Sequence, residues 1–244
     1  MRSVIDLSLI LFVVALVLGI AATVAFLVKR VKEGGVKAAM LKAFASTLFI
    51  ATGVAATSYV IGADKFSFAL FVVMGLVMGL MGDIWLDLKW VYPKANDTYT
   101  FAGFGSFMIG HFFYIAGLFI HYADFTKPLY IIAPAVIALL LGGGVVILEK
   151  PMKMVYGKFK AITGVYGFVL GFMTFLSGSL ALMNNFEVMT LNFMFVGGVL
   201  FLLSDLILSG TYFGEGKRRP VDIVTNHVAY YAAQFVIASA VMFI

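Results

Sequence analysis

The stretch FSFALFVVMGLVMGLMGDIWL, Phe66 to Leu86, holds one acid, Asp83, near the end of twenty-one residues that are otherwise apolar or small. A second run, NFMFVGGVLFLLSDLIL from Asn192 to Leu208, repeats the arrangement with Ser204-Asp205. Runs of this length match the ~20 residues a helix needs to cross a ~30 Å hydrocarbon core. An ionised carboxylate there costs a few kcal/mol or more, so an intramembrane aspartate is by default a functional-site hypothesis.

The rest of the chain fits a membrane reading. Of 244 residues, 63% are hydrophobic and 12% charged, and the mean hydropathy is +1.06. A water-soluble globule of this size has too little interior for that much apolar surface. Eight runs are long enough to span as helices, at about 4–28, 38–61, 66–86, 100–122, 128–148, 160–182, 189–209 and 222–244. The fold class expected is all-α, a single polytopic membrane domain over 1–244. The run from Val4 to Val28 reads as the first helix, since no cleavage-site pattern of a signal peptide accompanies it. Pro134 interrupts the fifth run, and Gly142-Gly143-Gly144 would let helices approach closely. The chain has no cysteine, which excludes disulfide and thiolate chemistry.

Basic residues fall on alternate connections. Lys29, Arg30, Lys32 and Lys37, then Lys89 and Lys94, then Lys150, Lys153, Lys158 and Lys160, then Lys217, Arg218 and Arg219 lie on one side, against Arg2, Lys65 and Lys127 on the other. The positive-inside rule makes the first side cytoplasmic and leaves both termini outside. The pI of 9.3 therefore reflects orientation and not a nucleic-acid partner.

At ~1.5 Å per residue, Asp83 and Asp205 lie at similar depth, within a turn or two of the cytoplasmic boundary. Lys42, His111, Tyr166 and His227 fall in the same half. His227, Tyr230, Tyr231 and Gln234 share one stripe, as do His111 with Tyr114 and Lys42 with Ser46. These stripes must face inward, because lipid would leave their donors unpaired. Asp87, Asp97 and Glu149 read as solvated loop or interface residues. Lys42 has two readings, as a partner of Asp83 or as a side chain snorkelling to the headgroups. An acid followed in the next helix by His-x-x-Tyr occurs twice, at Asp83 with His111 and Tyr114, and at Asp205 with His227 and Tyr230. The offset of four helices predicts parallel halves about an axis along the membrane normal.

Taken together, Leu80-Met-Gly-Asp83-Ile-Trp-Leu86, Phe101-Ala-Gly103, Gly110-His111-Phe-Phe-Tyr114, Gly198 to Leu208 and Tyr230-Tyr231-Ala-Ala-Gln234 resemble the YhhN family. That family includes bacterial inner-membrane proteins and the animal lysoplasmalogenases. The match runs in order from about Lys42 to Gln234 and gains nothing from the first helix. The resemblance implies hydrolysis of the vinyl ether bond of a lysoplasmalogen, with a lysophospholipid substrate, membrane lipids as surroundings and no cofactor. Asp83 and Asp205 would then divide general acid and base work. Lys42 would meet the phosphate, and His111, Tyr114, Tyr166, His227, Tyr230, Tyr231 and Gln234 would bind and orient substrate or water.

Two other classes compete. A small proton-coupled secondary transporter would also use intramembrane acids and histidines, but the outer halves of the helices offer no continuing polar path. A zinc hydrolase would need a convergent ligand set. The histidines are His111, His121 and His227, and His121 falls near the outer end of its helix, so no metal is expected. The charge pattern is checked with a reporter fused after Ile244, which should report an outside location; a cytoplasmic signal would reverse the orientation.

Overall fold

A computed structural model describes residues 2–214 and 219–244, with side chains from Leu7 onward. Lys217 and Arg218 of the basic set lie outside the described residues. Lipid offers no partner to a free backbone N–H, so each long apolar run closes its own hydrogen bonds as a helix. Among the described residues eight α-helices form: α1 Arg2–Lys32, α2 Gly35–Tyr59, α3 Phe66–Val91, α4 Asn96–Tyr122, α5 Leu129–Ile147, α6 Lys160–Met183, α7 Met189–Phe213 and α8 Pro220–Ala240. Among the described residues there is no strand, only an isolated bridge between Met154 and Gly214. This is an all-α polytopic membrane protein.

Among the described residues, seven helices are long and apolar enough to cross a membrane. The eighth, α8, is not, because Asp222, Asn226, His227 and Gln234 interrupt it. It is sheltered among α7, α2, α1 and α3, which lets it carry polar groups that lipid would reject. The chain after Ala240 turns into a short 3-10 segment, Val241–Phe243. Both acid-bearing helices outrun their apolar stretches: α3 continues to Val91 and α7 to Phe213. Asp83 and Asp205 thus each lie eight residues before the end of their helix.

Consecutive helices pack as antiparallel pairs, α1 with α2, α3 with α4, α5 with α6 and α7 with α8. Between the halves, α4 packs on α6 and α8 packs on α2. Those two contacts exchange when α1–α4 are mapped onto α5–α8, as parallel halves require. The correspondence is incomplete, since α8 also touches α1 and α3. Helix α5 rests chiefly on α6, and much of its surface, including Ile132, Val136, Leu139 and Leu140, is exposed.

Of the three consecutive glycines, Gly142 alone meets a neighbouring helix. A Cβ built there would lie 2.6 Å from the Gly164 carbonyl oxygen and 2.9 Å from the Phe168 nitrogen, while one at Gly143 or Gly144 would meet nothing within 4 Å. The connection after α5 is tied down by Glu149, which accepts from Lys160 Nζ at 2.6 Å and from the Tyr156 backbone N–H at 2.8 Å. Those two donors hold its carboxyl below the usual range. Gly142→Val should force α5 off α6 at a cost of about 1–3 kcal/mol, lowering the melting temperature by several degrees. Gly143→Ala should leave it unchanged, and an equal loss in both variants would refute this packing.

Candidate functional site

Asp83 is almost completely buried, and three side chains from two other helices donate to its carboxylate. Lys42 and Ser46, one turn apart on α2, present Nζ at 3.0 Å to Oδ1 and Oγ at 2.6 Å to Oδ2. From α8, Tyr230 donates its hydroxyl to Oδ2 at 2.7 Å and itself accepts from Gln234 Nε2 at 3.0 Å. Tyr231, beside Tyr230, donates to the Lys42 carbonyl at 3.0 Å and lies 3.1 Å from Ser46 Oγ. The polar stripe of α8 therefore faces the acid of α3. Gly79 makes room for it: a Cβ at that position would lie 2.6 Å from Gln234 Nε2.

Asp205 has sparser company. Tyr166 of α6 donates its hydroxyl to Oδ2 at 2.5 Å, and among the described residues no cation forms an ion pair with it. The adjoining Ser204 is fixed by Asn226, whose Nδ2 donates to the Ser204 carbonyl at 2.7 Å and lies 3.0 Å from its Oγ. The parallel with Asp83 holds in outline, because each acid accepts from the helix preceding its own. It fails in detail, because a lysine and a serine stand on one side and a tyrosine on the other.

The two histidines behave alike. Nδ1 of His111 lies 2.7 Å from the Phe107 carbonyl and Nδ1 of His227 lies 2.8 Å from the Ile223 carbonyl, each four residues back. A carbonyl only accepts, so both rings carry the proton on Nδ1. His111 packs against Tyr166 and Phe201 with ring centroids 5.9 and 4.8 Å apart, and Phe201 lies 5.4 Å from Tyr230. Four rings thus run from the partner of Asp205 to a partner of Asp83.

A cavity of 760 Å³ unites the two acids, within the usual range of ligand sites. Its charged end is lined by Arg30, Lys42, Asp83, Asp87, Asn226 and His227, and Tyr230, Asp205 and Tyr166 line the cavity as well. Apolar residues of three helices, Leu141 and Val145 of α5, Gly167, Leu170 and Phe175 of α6, and Val199 and Leu202 of α7, line the rest of it as an apolar arm. Nine residues of α6 separate Tyr166 from Phe175, about 13 Å along the axis.

Of the residues singled out in the sequence, Asp83, Asp205, Lys42, Tyr166, His227 and Tyr230 line this cavity. His111, Tyr114, Tyr231 and Gln234 do not; they stand behind the lining, and Tyr114 fills the space opposite Gly75. His121 sits apart, with Nε2 2.9 Å from Ser67 Oγ. Among the described residues no three His, Asp or Glu side chains converge as a metal-ligand set.

Asp87 corrects the sequence reading. Far from being solvated, it is buried, paired with Arg30 through Oδ2 and 3.5 Å from Lys42 Nζ through Oδ1. Its spacing of four from Asp83 puts both acids on one helix face, a signal obscured because the apolar run ends at Leu86. Asp97 pairs with Lys158 at the surface. Arg30 and Asn226 were also missed, one as part of a basic loop and the other as an unremarked amide.

A protein-family model matches residues 37–241. The chain belongs to the YhhN family. The match excludes α1 and includes every cavity-lining residue of α2 to α8 named above. No curated protein and no solved structure matches the chain.

The geometry decides between the two readings of Lys42, whose ammonium is buried against Asp83 and Asp87 and does not reach for the surface. Lys42→Met should cost about 3–5 kcal/mol, the usual loss when one partner of a buried pair is removed. Asp83→Asn in the same chain should recover part of that loss in thermal melts. A change within about 0.5 kcal/mol, typical of exposed positions, would refute the buried pair.

Proposed function

We propose that this YhhN-family protein is an intramembrane hydrolase that cleaves the vinyl ether bond of a lyso-ether phospholipid. The observation that carries the reading is the shared cavity, which has two aspartates at one level, a charged end and an apolar arm. A single-chain lipid has the same sequence of parts. The arm's ~13 Å compares with the ~15 Å of one leaflet, half of a ~30 Å core.

Hydrolysis begins with transfer of a proton to the alkene carbon remote from oxygen, which leaves an oxocarbenium ion. Asp205, with one hydroxyl donor and no cation partner among the described residues, suits the acid. Asp83, held by an ammonium and two hydroxyls, suits the carboxylate that faces developing positive charge and takes a proton from the attacking water. The product is a hemiacetal. As it collapses to a fatty aldehyde, Asp83 returns its proton to the departing glycerol oxygen and Asp205 recovers one from the hemiacetal hydroxyl. Both acids end as they began, with one water consumed. The basic residues at the charged end support a cytoplasmic mouth in a bacterial inner membrane.

Asp83→Asn and Asp205→Asn should each keep the fold while lowering kcat by about two to four orders of magnitude. The double variant should be little worse than the poorer single one, as for groups acting as a unit. The pH profile of kcat should be bell-shaped, its limbs belonging to the pair. Aldehyde release from detergent-purified protein, with vinyl and saturated lyso-ether lipids compared, measures all of this. Near-wild-type turnover in either single variant, or no aldehyde from wild type with any vinyl lipid, would sink the assignment.

A further inference from the structure

The cavity's charged end contains a group that the hydrolytic reading leaves without a task. Arg30 belongs to α1, outside the family match at residues 37–241. It sits one turn before Gly34 and Gly35, whose φ values of 65° and 68° turn the chain into α2. Its side chain is 13% exposed and its Nη2 is paired with Asp87 Oδ2. Nε is buried with no hydrogen-bond partner. The guanidinium lies 5.3 Å from the centroid of the Phe26 ring, which in turn packs edge-on to His227 at 5.0 Å. A cation with an unpartnered Nε–H is thus held in place on the cavity wall.

Lys42, the other cavity-lining cation, is differently placed, since its ammonium is shared between Asp83 and Asp87. We infer that Arg30, and not Lys42, is the anion-binding residue of the cavity, and that it takes the phosphate diester of a single-chain phospholipid whose tail occupies the apolar arm. This rests on the reading of the cavity as a lysolipid site and names the group that recognises the phosphate. A guanidinium presents a planar fork of donors that grips two phosphate oxygens at once. Asp87 holds that fork in the empty protein. When phosphate draws it away, Asp87 keeps Lys42, so the exchange leaves no acid unpaired. Free phosphate fares worse, because Asp83 and Asp87 repel it and it has no tail to bury.

The test is equilibrium binding to the full-length protein in detergent, using ligands that lack the vinyl bond and so remain intact. They are a saturated alkyl lysophosphocholine, the corresponding alkylglycerol without phosphate, and inorganic phosphate. Wild type should bind the phosphate-bearing lipid at least tenfold more tightly than the alkylglycerol, and inorganic phosphate far more weakly than either. Arg30→Gln should abolish the preference while leaving alkylglycerol affinity unchanged. Arg30→Lys, which keeps the charge for Asp87 if Gln does not fold, should still lose most of it. Equal affinity for the two lipids in wild type, or a preference undiminished in Arg30→Lys, overturns the role of Arg30 and leaves the hydrolase reading standing. Inorganic phosphate binding as tightly as the lipid overturns the lipid source. Binding of neither lipid overturns this inference and the lysolipid reading together.

Discussion

A carboxylate inside a bilayer must bring its cation with it, and the pairing of Asp83 with Lys42 is the constraint from which much of this structure follows. Neither ion is tolerable alone at that depth, so α2 has to turn Lys42 toward α3. The carboxylate has further lone pairs to satisfy. Ser46 meets one from the same face of α2, and Tyr230 supplies another from α8. Helix α8 is thereby committed to the interior, which explains why it carries too many polar residues to qualify as a span and survives only among its neighbours.

The two halves supply the same frame and fill it differently. Each presents an acid eight residues from a helix end, a histidine on the following helix that donates to the carbonyl four residues back, and a donor to the acid from the preceding helix. Identical surroundings would give two acids with identical behaviour. Lys42 and Ser46 on one side against Tyr166 on the other break that equivalence, and differing environments are what set two neighbouring carboxyl groups to titrate differently. The near-symmetry accounts for the matched positions of the two acids on their helices, and the departures from it account for their different partners.

The sequence made depth legible and partnership only partly so. Asp83, Asp205, Lys42, Tyr166, His227 and Tyr230 could be placed in one layer because the charge of the loops fixes direction and helix rise fixes depth. The stripe from His227 to Gln234 is likewise visible in its spacing. Which stripe meets which acid depends on packing between helices distant in sequence, and nothing local encodes it. His111 and Tyr114 show the consequence, since they share the depth but stand behind the cavity wall. Asp87 and Arg30 were lost for another reason. Both fall where an apolar run gives way to charge, a boundary that in most membrane helices is a wet interface. Here the helices extend past it and fold the charges inward, and only the four-residue spacing of Asp83 and Asp87 hinted at that.

The cavity's shape follows from how unequally its walls are held. On the side of α2, α3 and α8, ion pairs and hydrogen bonds fix the charged end with named partners. On the other side α5 rests chiefly on α6, close where Gly142 meets Gly164, and the cavity between α5 and α7 is lined there by apolar residues such as Leu141, Val145, Val199 and Leu202. Apolar contacts of this kind have no direction and adapt to a flexible hydrocarbon, whereas the charged end admits only a group that replaces the bonds it breaks. The apolar wall is thus also the wall with least to lose on parting. The charged end, with Arg30 and Asp87 paired, and the apolar stretch between α5 and α7 are therefore two parts of one cavity held by opposite kinds of force.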